Sequence, residues 1–463
     1  MIPMIVATAF LMEQLDSTII TTAVPDMARS LHVTPVQMSL AVAAYVLAVA
    51  VFIPVSGWFA DRFGARRIFV TALAVFTLGS MLCGMAQNFP MLVATRIVQG
   101  LGGAMMTPVG RLILLRSFPR SELMTAMTYM TLPAIMGPVI GPLLGGLLTT
   151  YLSWRWIFYV NLPFGLVGIA LALRFVENIR DPAIGKFDFI GFLMVGCGLG
   201  LLQFGMENVS RPIVSLTDIV LILAAAMALL ASFGFYATRV AAPAVDLNLF
   251  RIRSFRVGTL AGGLCRIGLN GVPYLLPLML QVGFGLSPIV SGSLTFVGSA
   301  GALLVRTLIA PVLRRHGYRL VLVASALAGS CTLAAFALLS PETPHGWILL
   351  LVFVFGLTRS TQFMTSNTLA YSDTPDSHLS RATSLGGVLQ QLSVSFGVSV
   401  SAVLLGLVSF HSRVLTPAQF HQVFLISAII PLLSVPGFIV LQPGDGIKSV
   451  TRGQAIAQAE AQD

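Results

Sequence analysis

Long apolar runs alternate with short polar connections along almost the whole chain. An α-helix of about twenty residues spans the roughly 30 Å hydrocarbon core of a bilayer, and the runs have about that length. The pattern predicts fourteen transmembrane helices, numbered here as spans 1 to 14. They lie near residues 3–24, 36–57, 67–86, 90–115, 123–148, 154–174, 188–206, 218–238, 256–281, 288–311, 319–339, 346–369, 384–409 and 418–441.

Composition supports an all-α membrane protein. Of the 463 residues, 56% are hydrophobic and only 10% are charged, whereas soluble proteins carry about 25% charged residues. So few charges cannot cover a soluble surface of this size, and the lipid bilayer is the expected partner. The cysteines form no CxxC pair and the histidines lie outside the spans, so no metal site is expected.

The basic residues predict the orientation. With the N-terminus in the cytoplasm, cytoplasmic loops and the tail hold 19 Lys and Arg, periplasmic loops hold 4, and 4 lie within spans. Such a bias is typical of cytoplasmic loops of inner-membrane proteins. It predicts a multi-pass protein of the inner (plasma) membrane with both termini cytoplasmic. It also explains the net charge of +10 without nucleic acid as a partner.

A weak internal repeat predicts the domain organisation. Residues 57–67 after span 2 and residues 310–319 after span 10 are related at an offset of 253 positions. Two six-helix bundles with an inserted two-helix hairpin would place both segments equivalently. The predicted divisions are an N-terminal bundle (1–175), a hairpin with flanking cytoplasmic loops (176–250), a C-terminal bundle (251–442) and a cytoplasmic tail expected to be disordered (443–463).

The first repeat segment resembles the signature loop of the major facilitator superfamily, G-x-x-x-D-R-x-G-R/K-R/K, with Ala65 as its one departure. The resemblance implies the major facilitator fold and a cytoplasmic gate. Glycines there suit close helix approach and a tight turn, and Asp61 can face the positive end of a helix such as span 13. The arginines can bridge carboxylates or lipid phosphates. The gate residues are Gly57, Asp61, Arg62, Gly64, Arg66 and Arg67.

Two further motifs strengthen the resemblance. Arg96 and Gln99 begin an R-x-x-Q-G-x-G-x-A motif in span 4. Span 5 is similar to the motif of the superfamily's antiporters, and residues 15–25 and 153–165 resemble its fourteen-span drug:proton antiporter family. This implies export coupled to protons. The antiporter residues are Gly137, Pro138, Gly141, Pro142, Gly145 and Gly146.

Two carboxylates, Glu13 and Asp16, are the only ones predicted deep within a span, and their spacing places them on one helix face. Asp16 and Arg96 both lie about 21 Å from the cytoplasmic side at 1.5 Å per residue. We therefore expect them to meet. The hypothesis is that Asp16 is the proton-coupling acid, that Arg96 tunes its pKa, and that Glu13 is a second acid or a substrate contact.

The second half of the chain has only positive charges in mid-span. An amphiphilic anion, a zwitterion or a metal-chelated organic acid suits that charge better than a lipophilic cation. Polar residues within the spans are candidates for a substrate cavity. They are Gln99, Arg266, Asn270, Arg359, Gln362 and Gln390.

The sequence thus predicts a secondary transporter that exports small amphiphilic molecules by alternating access. It is not expected to be an enzyme or to hold a cofactor, since no phosphate-binding loop or catalytic set occurs. Two alternatives stay open: an exporter of organic anions or metal-chelated organic acids, and a membrane sensor with this fold that does not transport. The expected state is a monomer, because the pathway lies between its own two halves.

Overall fold

The computed structural model describes residues 1–118, 120–179, 187–209, 215–240, 243–375, 378–409, 415–442 and 445. Helices form almost all of this part of the chain, and no strand occurs in it. Twelve of the described helices are long and apolar enough to cross a bilayer. The predicted all-α membrane fold is therefore confirmed.

Seven helices, together called the first half, precede residue 176. They pack mainly as α1 on α5, α2 on α4, and α3 on α4 and α7. Local sequence fixes their starts: Thr34 caps α2 by accepting from the Gln37 amide, and Asn88 caps α4. The helices are α1 (Ile2–Ser30), α2 (Pro35–Phe63), α3 (Ala65–Gly84), α4 (Phe89–Ser117), α5 (Arg120–Tyr151), α6 (Trp156–Tyr159) and α7 (Asn161–Phe175).

A helical hairpin follows, made of α8 (Phe189–Asn208) and α9 (Leu216–Ala237). Asp188 caps α8 by accepting from the Gly191 amide, and the Tyr236 hydroxyl of α9 donates to the same carboxylate at 2.8 Å. One acid thus closes the base of the hairpin. Beyond this pairing, α8 packs on both α2 and α15.

The remaining helices, together called the second half, begin after residue 252. A π-helical turn at Val257–Ala261 follows α10, and the helical run is interrupted again at Gly271 between α11 and α12. The helices are α10 (Arg253–Arg256), α11 (Gly262–Asn270), α12 (Val272–Leu278), α13 (Pro288–Phe336), α14 (His345–Ser372), α15 (Leu379–Val408) and α16 (Pro417–Ile439).

The 49-residue α13 is too long for one crossing. At 1.5 Å per residue it would extend about 73 Å, more than twice the hydrocarbon core. Its backbone leaves the helical region at Gly317, where φ is 72°. It therefore consists of two helices that meet at this glycine. The count of fourteen spans stays a prediction, which this division and the 32-residue α5 favour.

Gly64 and Gly317 occupy equivalent places in the predicted repeat, 253 positions apart. Both have positive φ, 99° and 72°, and each lies where one helix passes directly into the next. A residue with a Cβ avoids this conformation. At Gly64 the Asn178 side chain also fills the space that a Cβ would need. The repeat noticed in the sequence is thus a repeated helix junction.

The two halves meet toward the end of the bundle that holds the α1–α2 connection. We call this the α1–α2 end and the opposite one the α2–α3 end, which the basic residues predict to be cytoplasmic. Among the residues that the structure describes, four side-chain hydrogen bonds join the halves between mid-bundle and the α1–α2 end. They are Gln281 to the Thr22 carbonyl (2.9 Å), Tyr274 to Pro35 (2.6 Å), Ser299 to Pro138 (2.7 Å) and Ser395 to Ala43 (3.3 Å).

Candidate functional site

A buried ion pair lies at the centre of the first half. Arg96 Nη1 of α4 donates to Asp16 Oδ2 of α1 at 2.6 Å, and the two side chains are 0% and 1% exposed. Charges removed from water in this way cost several kcal/mol each unless they are paired and hydrogen-bonded. The structure therefore brings together the two residues that were expected to meet at similar depth.

Neutral groups complete the surroundings of Asp16. Gln99 Nε2 donates to Asp16 Oδ1 at 2.7 Å, and Asn161 Nδ2 of α7 donates to the same oxygen at 3.3 Å. Gln99 therefore belongs to this cluster, although its sequence position had suggested a place in the substrate cavity. Asn161 was missed, because a neutral amide at the start of an apolar run gives no charge signal.

Arg96 is held by further contacts. Its Nη1 also donates to Gln99 Oε1 at 2.8 Å, its Nε to the Ala41 carbonyl at 3.3 Å, and its guanidinium lies 4.3 Å from the centroid of the Tyr45 ring. Within the described residues, Arg96 Nη2, Asn161 Oδ1 and the Tyr45 hydroxyl have no hydrogen-bond partner. The cluster therefore retains groups that can accept or donate one more hydrogen bond.

Glu13 lies one turn from Asp16, toward the α2–α3 end, in different surroundings. It is half-buried, the Thr107 hydroxyl of α4 donates to it, and the charge of Arg111 acts on it. Arg111 lies on α4, within the predicted bounds of span 4. The two acids on this helix face thus have different partners. Asp16 is buried within the bundle, whereas Glu13 is partly accessible.

The glycine face of the antiporter motif packs against α1 around Asp16. A Cβ on Gly137 would lie 2.7 Å from Gln14 Cβ, and one on Gly141 would overlap the Thr18 hydroxyl. Gly145 is equally close to Ile19. Helices approach this closely only where side chains are absent. The motif therefore sets the position of the α1 segment that holds the buried acid.

The other motif residues of α5 face the second half. Pro138 and Pro142 offer backbone carbonyls there: the Ser299 hydroxyl donates to that of Pro138, and Gly292 lies against that of Pro142. Gly146 packs on Pro288. The motif thus contributes to the contact between the halves as well as to the packing of α1.

The signature loop is anchored within the first half. Arg116 Nη2 of α4 donates to Asp61 Oδ1 at 2.6 Å. Arg66 Nη1 donates to the Val176 carbonyl at 3.4 Å and the Arg67 amide to Asn178 Oδ1 at 3.2 Å, while Arg62 is exposed. Arg116 was not expected as the partner of Asp61. A contact between Asp61 and span 13 stays a prediction.

Gly57 requires a correction. The sequence suggested that it allows a close helix approach, but a Cβ there would meet nothing within 4 Å. The reason is that α2 has no close neighbour on this side at Gly57. Only Gly64, at the turn itself, behaves as expected.

Two arginines of the second half are bound by amides. Arg266 Nη1 donates to Asn367 Oδ1 at 3.1 Å, and Arg359 donates from Nε and Nη2 to Asn270 Oδ1 at 3.2 and 3.1 Å. Asn367 in turn donates to Gln390 at 3.5 Å. Among the described ion pairs, none involves either guanidinium. We call these five residues the amide–arginine group.

Gln362 lies apart from that group. The Ser325 hydroxyl donates to Gln362 Oε1 at 2.6 Å, and Gln362 donates to Ser366 at 3.4 Å. Its side chain is fully buried. The structure therefore uses Gln362 to connect α13 and α14 and does not expose it to a cavity.

A further buried carboxylate, Glu207, lies at the end of α8 and not deep within a span. Glu207 of α8 is 2% exposed and accepts hydrogen bonds from Ser39 (2.7 Å), Ser399 (2.6 Å) and Gln203 (3.4 Å). Span 7 was predicted to end at residue 206, one position short of this acid. The pairing of Gln203 with Glu207 at a spacing of four could have indicated a buried polar helix face.

Comparisons with known proteins agree with these observations. The sequence profile of the Major Facilitator Superfamily matches residues 6–398 and 258–458. A protein of Serratia proteamaculans (strain 568) named multidrug resistance protein MdtD is 39% identical over 426 residues, 91% of this chain and 88% of that protein. Its namesake in Cronobacter sakazakii (strain ATCC BAA-894) is 40% identical over 422 residues, 91% and 89% of the two chains.

Solved structures show the same fold at low sequence identity. The nucleoside transporter NupG superposes with a TM-score of 0.65 at 15% identity, covering 95% of this chain and 98% of NupG. A bacterial homolog of the human lysosomal transporter Spinster, in an inward-facing and unoccupied conformation, superposes with a TM-score of 0.60 at 15% identity, covering 95% and 96%.

Proposed function

This chain belongs to the Major Facilitator Superfamily, and from that premise we propose that it is a proton-coupled efflux transporter that exports small amphiphilic molecules by alternating access. The observation that supports this most strongly is the buried pair of Asp16 and Arg96, with Gln99 and Asn161 on the same carboxylate. An ionisable pair within membrane-spanning helices is expensive and is typical of proton and ion pathways.

The proposed coupling step occurs at the Asp16 carboxylate. A proton that binds to Oδ2 removes the charge that Arg96 pairs with, so the guanidinium must then rely on Gln99, Ala41 and the Tyr45 ring. A proton that leaves restores the ion pair. Because these two states stabilise different surroundings of α1, proton binding can shift the balance between two conformations.

Glu13 is proposed to exchange protons with the aqueous side. It lies three residues, about 4.5 Å, from Asp16 along α1 toward the α2–α3 end. It is half-buried, whereas Asp16 is sealed. This difference in solvent exposure between the two acids fits a state in which the halves meet near the α1–α2 end. A proton would then reach Asp16 from the α2–α3 side through Glu13.

Export is the proposed direction of transport. The glycines of the antiporter motif hold α1 beside its acid, and the relatives named multidrug resistance protein favour efflux. We further propose that the protein lies in the inner membrane as a monomer with both termini cytoplasmic. The proposed divisions are those of the sequence, with bundles at 1–175 and 251–442, the hairpin region at 176–250 and the tail at 443–463. No catalytic activity is proposed.

The amide–arginine group favours a second candidate function, export of organic anions or metal-chelated organic acids. Among the described hydrogen bonds, both guanidiniums are bound only by neutral amides. They therefore keep their full positive charge. An anionic substrate group could neutralise them, and guanidinium forks suit carboxylates.

Everted membrane vesicles test the lead function. With an imposed pH gradient, we expect wild-type protein to take up substrate and to release protons when substrate is added. Asp16→Asn should lose this exchange, and Asp26→Asn, which alters a carboxylate paired with Arg29 on the same helix, should retain it. Proton-driven uptake by Asp16→Asn at the wild-type rate would contradict the proposal. Uptake of organic anions in preference to cationic dyes would favour the second candidate.

A further inference from the structure

A second buried polar cluster lies outside the site described above. It consists of Ser39 on α2, Gln203 and Glu207 on α8, and Ser395 and Ser399 on α15. All five side chains are nearly or fully buried. We call it the Glu207 cluster. It is where a helix of the first half, a helix of the hairpin and a helix of the second half share one hydrogen-bond network.

The Glu207 carboxylate connects the two halves directly. Ser39 of the first half donates to its Oε2 at 2.7 Å, and Ser399 of the second half donates to its Oε1 at 2.6 Å. A buried carboxyl group that loses its hydrogen bonds is left with unsatisfied polar oxygens, which costs free energy. The acid therefore opposes any movement that separates α2 from α15 at this level.

We propose that Glu207 is a gate-positioning residue that holds α2 and α15 together in the state closed at the α1–α2 end, so that the hairpin takes part in the transport cycle. The proposal rests on alternating access but not on which group binds the proton. Ser39 lies near the start of α2, and Glu207 lies at the end of α8. Both therefore lie toward the α1–α2 end, where the halves touch.

The network is unevenly divided between the halves. Three hydrogen bonds join α8 to α15: Ser399 to Glu207, Gln203 to Ser399, and Ser395 to Gln203 at 3.2 Å. Among the described hydrogen bonds, one joins α8 to α2, from Ser39 to Glu207, and one joins α15 to α2, from Ser395 to the Ala43 carbonyl. When the α1–α2 end opens, these two bonds to α2 should break before the three between α8 and α15. At this end the hairpin should then move with the second half.

Distances between spin labels test the proposal. Gln87 and Leu338 are exposed at the α1–α2 end, one in each half, and each can be changed to cysteine for labelling. Cys197 and Cys331 are exposed and are replaced by serine, while Cys83 and Cys265 are buried. The purified full chain is measured by double electron–electron resonance without substrate or gradient.

We expect Glu207→Ala and the milder Ser39→Ala to raise the ratio of long to short distances about tenfold, since each removes the hydrogen bond between Ser39 and Glu207 and leaves a buried polar group without that partner. Ser325→Ala, which removes a buried serine bond within one half, should leave the ratio unchanged. If Ser39→Ala folds and its distances match wild type, the proposal is overturned. The same holds if Ser325→Ala opens the end equally. A failure of proton coupling at Asp16 would leave this result untouched.

Discussion

Arg96 and Asp16 lie 80 positions apart in the chain, yet their charged atoms are 2.6 Å apart in a site that is buried from solvent. Neither residue can lose its partner without leaving an isolated charge inside the bundle. The pair is therefore a strong structural constraint as well as the proposed point of proton exchange, and experiments must separate the two roles.

Stability measurements on single and double variants make this separation. Arg96→Gln alone should lower the free energy of unfolding by about 3–5 kcal/mol, because Asp16 is left buried and unpaired. The double variant Asp16→Asn/Arg96→Gln should recover most of this loss yet lack proton-driven uptake. Thermal unfolding in detergent and vesicle uptake measure the two effects. If the double variant were as unstable as Arg96→Gln, the unpaired charge of Asp16 would not be the cause of the lost stability.

Replacing Glu13 should slow proton-coupled uptake without abolishing it. Glu13→Gln removes an acid but keeps the hydrogen bond from Thr107, and we expect proton-coupled uptake to slow about tenfold without being lost. Thr107→Val keeps the acid and should slow it less. Initial rates of uptake across a pH series measure this. Complete inactivity of Glu13→Gln would instead assign the main coupling step to Glu13.

The close packing of α5 on α1 predicts a sharp contrast between glycines. A Cβ at Gly141 would overlap Thr18, so Gly141→Ala should destabilise the protein by about 1–3 kcal/mol. Gly57→Ala should be tolerated, since its surroundings are open. Combining Gly141→Ala with Thr18→Ala should restore part of the stability, because the closest contact is removed while the Thr18 Cβ remains 2.9 Å from the added Cβ. Thermal unfolding of the three variants and of the wild type checks the series, and equal losses at Gly57 and Gly141 would contradict it.

The amide–arginine group predicts charge selectivity. If Arg359 meets an anionic substrate, Arg359→Gln should weaken anion transport about tenfold or more while sparing cationic dyes. Arg306→Gln is the matched control, because Arg306 lies on α13 outside the group. Competition by anions and by dyes in vesicles distinguishes the outcomes. Unchanged anion transport in Arg359→Gln would remove the support for the second candidate function.

The two helix junctions should respond unequally to a side chain. Gly317→Ala should cost about 1–3 kcal/mol, because its φ of 72° and ψ of 166° lie in a region that is essentially restricted to glycine. Gly64→Ala should cost more, because the Asn178 side chain occupies its Cβ position. Unfolding of the two variants measures the difference, and the larger loss at Gly317 would contradict the expectation.

Much of the architecture could be predicted because membranes impose a simple rule. Helices must satisfy their own backbone groups and match the bilayer thickness, so apolar runs of about twenty residues locate them. The meeting of Asp16 and Arg96 followed from the same rule, since a fixed rise per residue converts sequence position into depth. Their role in coupling stays a prediction.

The partners of these residues could not be predicted. Asn161 and Thr107 are neutral, and nothing along the chain distinguishes them from other polar residues of the helices. Glu207 escaped notice because its position lay one residue beyond the predicted end of span 7. The openness at Gly57 and the sharing of Glu207 between both halves depend on how helices from distant parts of the chain pack together.

The junctions at Gly64 and Gly317 have a consequence for how this protein can evolve. A shared glycine junction in two otherwise different segments is typical of proteins built from internal repeats. The first half holds the buried Asp16, and the second half holds the guanidiniums of Arg266 and Arg359. If the first half couples protons and the second half selects the substrate, as proposed above, mutations that change the cargo can accumulate in the second half while the proton-coupling residues stay unchanged.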